Sequence, residues 1–433
     1  MSRIRHRNGG SAERATGRSG ATRWSLAAGC AAVVTAAAVA VNVSTATSDS
    51  SPTTSLSNDA PLRSAEPRTK VISSVPVGYP RTAAGAKAAA SNFTVVMGSW
   101  PFLTEAGARR SALSVMTANS APKAVAEKAD RTARQAARGL QNGNHKLDRN
   151  RGIARTGVLS ARTLGFDIHR ATVRLWTTAV RGSAVGHRAP ATSYRSVTVS
   201  LVWENNDWKL YGGSEQKGLV APIDFRQSTN SASSFADYVP GNAADPVLSG
   251  SVGQDGFPAR YRHTEQGARG AATSAVALWG DPRFFTSSEW RHHMLAATAA
   301  PSSLRTLTSD TDATAALVRE NRALGEDGTT ADGGLLVTRT AALATRAVSY
   351  SDRAASIEVW TASVGGVAGP DETQTPQCAF LRMTVDLTWS GGTWTTTAVT
   401  PSEPLVPAPP ADPASHSSSF AGVGGVADAP PTA

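Results

Sequence analysis

Asp167 and His169 stand two positions apart in a stretch that reads as a β-strand, so both side chains are expected on one face. If that face lined the hollow of a curved sheet, an Asp/His pair could transfer a proton. The activity implied is that of an isomerase- or dehydratase-like pocket. A second copy of the same region, described below, carries Ser351 and Arg353 near the equivalent positions. That favours the plainer reading, a surface pair at a strand end.

Other candidates for chemistry are weaker. His292 and His293 are adjacent on an expected helix, where neighbours point roughly 100° apart, so they make poor co-ligands for a metal. No GxxxxGK[ST], GxSxG, HExxH, EF-hand loop or strand-following GxGxxG occurs. The two cysteines, Cys30 and Cys378, form no CxxC pair and no zinc-ligand spacing. No catalytic residue, cofactor or metal ligand is therefore assigned, and a non-enzymatic protein is expected.

The elements that would hold any such residues are easier to read. The chain has 433 residues, 40% of them apolar and 18% charged, a length that suggests more than one domain. Its net charge is +10, but Arg3, Arg5, Arg7, Arg14, Arg18 and Arg23 crowd the first 23 positions against Glu13 alone. The remainder shows no long Lys/Arg stripe interleaved with aromatics, so direct nucleic-acid binding is not expected. Residues 1–23 read as a basic cytoplasmic head. Residues 24–43, with the uncharged run "SLAAGCAAVVTAAAVAVNV", read as a membrane-spanning helix. The positive-inside rule then leaves the body of the chain outside the cytoplasm, in a single-pass arrangement. A cleaved signal peptide is the rival reading of the same segment.

Beyond it, 44–75 is a Ser/Thr/Pro linker, 226–256 a second linker, and 409–433 a disordered tail whose linker-like composition begins at Pro401. Two blocks of nearly equal size, 76–225 and 257–408, lie between. They are copies. At an offset of 182, Thr82, Gly85, Ala86, Ala89 and Ala90 match Thr264, Gly267, Ala268, Ala271 and Ala272. "ATVRLWTTAV" from Ala171 matches "ASIEVWTASV" from Ala355, and "VTVSLVWENNDW" from Val197 matches "MTVDLTWSGGTW" from Met383. Matches in the same order at separated places mark an internal repeat.

Each copy reads as three helices followed by an antiparallel meander, hence an α+β domain. Thr82 and Thr264 are expected helix caps. Gly85, Ala86, Ala89 and Ala90 form a small-residue seam for close packing. "TSSE" at Thr286 to Glu289 reads as a capping box. The third helix, from about Pro122 to Leu140, has Glu127–Arg131 and Asp130–Arg134 at i,i+4 spacing. Its basic Arg131, Arg134 and Arg138 read as a solvated face or, alternatively, a contact for an acidic polymer or partner. In the strands, Trp203 and Trp389 follow the apolar face and are expected in the core. "ENND" and "SGGT" read as type I′ hairpins. Trp176 and Trp360 share a face with Arg174 and Glu358, which makes these four candidates either for covering the other sheet face or for meeting a partner.

Three helices and a curved sheet ending in "VTVSLVWENNDWKL" resemble the nuclear transport factor 2-like cone fold. A basic head, one membrane helix, a stalk and two such domains in tandem resemble the TcpC family of conjugative transfer proteins, relatives of the VirB-type scaffolds of type IV secretion. The Ala-, Arg- and Thr-rich composition resembles actinobacterial proteins. The resemblance implies a scaffold at the cell membrane. It would assemble with itself and with other secretion-channel subunits through extracytoplasmic tandem domains. Two alternatives stand beside it: an exported small-molecule-binding protein or isomerase-like enzyme using a cone cavity, and a membrane protein of the Mce-associated type, which usually has one such domain.

Overall fold

The computed structural model describes residues 70–140, 152–183, 190–217, 239–240, 251–252, 258–402 and 404–408. The basic head, the expected span at 24–43, most of both linkers and the tail from 409 lie outside them. Among the described residues no helix is long and apolar enough to cross a membrane.

The architecture is α+β with antiparallel sheets, and one order of elements occurs twice. A small hairpin, β1 (Lys70–Ile72) and β2 (Val75–Val77), leads into α1 (Ala83–Met97), α2 (Trp100–Thr104), α3 (Ala106–Met116) and α4 (Lys123–Leu140). Then come β3 (Gly152–Phe166), β4 (Arg170–Ser183), β5 (Ala191–Glu204) and β6 (Asp207–Lys217), paired in that order. The linker contributes β7 (Val239–Pro240) and β8 (Ser251–Val252), and β9 (Pro258–Arg260) pairs with β8. The second copy has α5 (Glu265–Trp279), α6 (Pro282–Thr286), α7 (Ser288–Thr298) and α8 (Leu304–Asn321). Its strands are β10 (Leu335–Tyr350), β11 (Ala354–Ala368), β12 (Gln377–Ser390) and β13 (Thr393–Pro401). Here β7 joins the outer edge of β10, making five strands.

Among the described residues each copy has four helices, one more than the sequence suggests. The extra elements, α2 and α6, are five residues long with a proline in the first turn, where its missing N–H costs nothing. α6 also displaces the expected capping box. Thr286 closes α6 by donating to the Pro282 carbonyl at 3.1 Å, and Ser287 caps α7 by accepting from the Trp290 N–H at 3.2 Å. The second linker is not wholly free of structure, because Val239 and Pro240 pair with Thr345 and Ala344.

The repeated phrase around Thr82 and Thr264 has a steric cause. Both threonines accept the N–H of the glycine three residues on, at 3.0 Å. A Cβ on Gly85 would stand 2.0 Å from the Pro80 carbonyl oxygen, and one on Gly267 would stand 2.0 Å from that of Arg262. Those same carbonyls accept the indole N–H of Trp208 at 2.9 Å and of Trp394 at 3.1 Å. Strand, loop and helix are thus tied at one point in each copy. Ala86, Ala89 and Ala90, all fully buried, let α1 lie close over the sheet.

The sheets bend at matching places. Irregularities fall between Val158 and Ser160 and between Thr163 and Gly165 in β3, and between Ala342 and Ala344 and between Ala347 and Ser349 in β10. Extra residues of this kind coil a sheet around what it covers. The hairpins turn as the sequence indicates, with positive φ at Asn205 and Asn206 (55° and 58°) and at Gly391 and Gly392 (60° and 78°). The core tryptophans differ from expectation. Trp208 and Trp394 are buried, whereas Trp203 and Trp389 lie at the hairpin end, half-buried. Each packs edge-on to its buried partner, at 5.4 and 5.5 Å. Arg81 covers Trp203 at 5.3 Å, and His263 stacks on Trp389 at 3.9 Å.

Candidate functional site

Trp176 and Trp360 lie at the centre of a third core, formed between the two copies. It joins Ile153, Leu159, Val180 and Tyr194 of the first sheet to Val337, Leu343, Val364 and Phe380 of the second. Trp176 is 0% and Trp360 1% exposed. Close approach is built in at Gly157, where a Cβ would stand 2.9 Å from that of Ala341. Both sheets are therefore covered on two faces, by their own helices and by each other. Burial of one such large side chain contributes roughly 1.5–3 kcal/mol, so this seam is a substantial part of the fold. The segment after β13 closes it. Leu405 and Val406 are buried there, although the composition from Pro401 onward reads as linker, and Ala408 donates its N–H to the Pro190 carbonyl at 2.7 Å.

Charged groups border the same seam in matched pairs. Arg155 and Arg339, 184 positions apart, are both buried, and each donates to the carbonyl of its preceding residue at 2.7 Å. Burial pulls the Arg155 guanidinium down to about 10. Of the other two interface candidates, Glu358 is buried and held by Arg346 at 2.5 Å and Arg382 at 3.6 Å. Arg174 is exposed and pairs across the sheet with Arg162. The four candidates thus do not form one patch: the tryptophans meet the other copy, Glu358 is neutralised within the sheet, and Arg174 faces solvent.

Asp167 and His169 lie in the turn between β3 and β4 rather than on a strand. The Asp167 carboxylate accepts the N–H of His169 at 2.6 Å and of Arg170 at 2.8 Å, and these bonds hold its pKa below the usual carboxylate value. The His169 Nδ1 accepts from Arg81 at 2.9 Å. In the second copy Ser351 closes the same turn, its Oγ accepting the Ala354 N–H at 3.1 Å. The pair is exposed and serves the turn.

The strongest polar cluster is one that sequence reasoning missed. Arg109 on α3 meets Asp130 on α4 at 2.7 Å and donates to the Phe102 carbonyl at 2.9 Å. In the second copy Arg291 meets Asp312 at 2.9 Å and donates to the Phe284 carbonyl at 2.8 Å. Both arginines are buried. The shared offset of 182 was the available signal, hidden because Asp130 also pairs with Arg134 one turn on, at 2.8 Å. The hydrogen bond from Arg109 lowers the Asp130 pKa. Burial pushes the Asp312 carboxyl up, but hydrogen bonds from Arg291 and His292 outweigh it and lower the pKa. His292 approaches Asp312 at 2.8 Å from the surface. Arg291 and Asp312, with Glu289 and Arg319, line an open cleft of about 480 Å³. Among the described residues no group of three His, Cys, Asp or Glu could hold a metal.

The helical faces turned to solvent have diverged. On α4, Arg131, Arg134 and Arg138 are exposed. The positions 182 residues on, in α8, are Ala313, Ala316 and Glu320, also exposed.

No family model and no curated protein matches the chain. Among solved structures, one described as "Ntf2 like protein involved in plasmid conjugation" is similar over 73% of this chain and 96% of its own, at 10% identity and a TM-score of 0.18.

Proposed function

We propose that this chain is a non-enzymatic, single-pass membrane scaffold of a conjugation or type IV secretion-like apparatus. Its body consists of two nuclear transport factor 2-like domains outside the cytoplasm, and it works by binding itself and other channel subunits. The observation that carries the reading is the use of both sheet faces for packing. The helix-side interiors are occupied by Phe93, Met116 and Trp208 in one copy and by Phe284 and Trp394 in the other. The opposite faces are spent on the seam around Trp176 and Trp360. A doubled, internally sealed body of this kind offers outer surfaces to partners rather than a pocket to a substrate. The membrane and conjugation parts rest on the apolar run at 24–43 and on the family resemblance of the sequence.

The test is carried out on the full chain in its own cell. Membranes are washed in alkaline carbonate, and surface cross-linking is followed by purification in detergent. The expected result is retention in the membrane pellet together with cross-linked multimers or channel subunits. A carbonate-extractable monomer that captures no membrane protein would overturn the proposal.

A further inference from the structure

We propose that the outward face of α4 docks on the anionic phospholipid headgroups of the membrane in which the same chain is anchored, and that the second copy has no such contact. The proposal rests on the anchored reading above. Lys123, Glu127, Arg131, Arg134 and Arg138 fall within about 80° of one another around α4, opposite the buried Ala133 and Leu140. The Arg131 and Arg134 side chains are 61% and 59% exposed.

The second copy is an internal control. α8 has the same length, the same place in the fold and the same Arg–Asp pin to the preceding helix, yet carries Ala313, Ala316 and Glu320 at the arginine positions. Folding of this helix therefore does not require the arginines. Glu127 and Asp130 neutralise part of this charge, at 3.8 Å from Arg131 and 2.8 Å from Arg134, and the net basic excess that remains on the face is what a polyanionic surface attracts. Lipid is favoured over other polyanions by where the chain enters. Ser73 and Ser74, in the turn between β1 and β2, lie in a crevice with Phe102, Ala108 and Ala112. The chain enters through this hairpin at Lys70, opposite Val77, and β2 packs against α1 and α3, the helix to which α4 is pinned through Arg109 and Asp130. Residues 44–69, even fully extended, reach no more than roughly 90 Å. The first copy is tethered within that distance of the headgroups, and a row of arginines attracts such a surface once the two come within a screening length.

The experiment uses the full chain with Cys30→Ser and a fluorescent donor at Ala124→Cys, an exposed position flanking the face. Cys378 is buried and does not compete for the label. The protein is placed in vesicles of phosphatidylcholine, with or without phosphatidylglycerol, carrying a headgroup acceptor. Energy transfer is expected to rise at least about threefold with phosphatidylglycerol and to fall back in high salt. A donor at Ala313→Cys should show no such rise. The variant Arg131→Ala, Arg134→Ala, Arg138→Glu, which installs the second copy's residues, should lose it. Equal transfer in both vesicle types, or a rise that survives in the triple variant, overturns the proposal. So does a single-stranded oligonucleotide that shifts the Ala124→Cys label in phosphatidylcholine vesicles when phosphatidylglycerol does not, because the face would then be a nucleic-acid contact. Flotation of the unmodified chain with phosphatidylcholine vesicles in high salt reads the anchor separately: its loss sinks the anchored reading, whereas loss of transfer alone sinks only the docking face.

Discussion

Trp360 donates its indole N–H to the Leu405 carbonyl at 3.0 Å, inside the core that the two copies share. This bond holds the chain beyond the last strand against the seam. Leu405→Ala is expected to cost about 2–5 kcal/mol, as for other fully buried leucines. Trp360→Phe leaves a buried carbonyl unsatisfied and is expected to cost at least about 1–3 kcal/mol. Urea unfolding followed by tryptophan fluorescence measures both. A change below about 0.5 kcal/mol for Leu405→Ala, the range of ordinary surface substitutions, would mean that the segment is not part of the core.

Glycine within a helix ordinarily gains about 1 kcal/mol of stability when replaced by alanine. At Gly85 and Gly267 the sign should reverse, since the new methyl would meet a carbonyl oxygen 2.0 Å away. Thermal melts of Gly85→Ala and Gly267→Ala should both show a lower midpoint. A raised midpoint for either would show that the loop before the helix yields easily.

The Arg291–Asp312 contact makes stability depend on acid. Asp312 has a lowered pKa in the folded chain, because the hydrogen bonds from Arg291 and His292 outweigh its burial. Its contribution is therefore complete above the unfolded carboxylate value of about 4 and is lost as pH falls through the lower folded value. The stability difference between the natural chain and Asp312→Asn should be constant near neutrality and shrink in that acid window. A difference that instead grew on acidification would contradict the assignment. Asp312→Asn should also destabilise more than Arg291→Leu, because it leaves a buried guanidinium without its counter-charge.

The two hairpins place different residues in the same left-handed turn. Asn205→Gly with Asn206→Gly copies the Gly391–Gly392 turn and should leave stability unchanged or slightly raised. Asn205→Val should cost at least about 1–2 kcal/mol, the penalty of a left-handed conformation for a side chain with a bulky Cβ. Equilibrium unfolding of the two variants tests the pair. Equal stability of both would exclude a type I′ turn.

What the sequence determined by itself is the local and repeated part of the molecule. Thr82 and Thr264 cap helices because a hydroxyl three residues ahead of a free N–H suffices. Asn205–Asn206 and Gly391–Gly392 turn the chain because few residues tolerate positive φ. The matched Trp motifs report two copies because the same local contacts recur in each. Tertiary structure decided everything that depends on which face meets what. Alternation puts Trp176 beside Arg174 and Trp360 beside Glu358, but only packing of sheet on sheet buries the tryptophans and leaves Arg174 in solvent. The Arg109–Asp130 and Arg291–Asp312 pins join residues 21 positions apart on different helices, a spacing with no periodic signature. Asp167 and His169 share a strand face only if the strand continues; the chain turns there instead, with the Asp167 carboxylate accepting the His169 and Arg170 N–H groups, a role that strand alternation does not reveal. Leu405 and Val406 fall inside the second block, 257–408, but two apolar residues among prolines carry no period that says what they face; they are buried because the seam between the copies has room for them there.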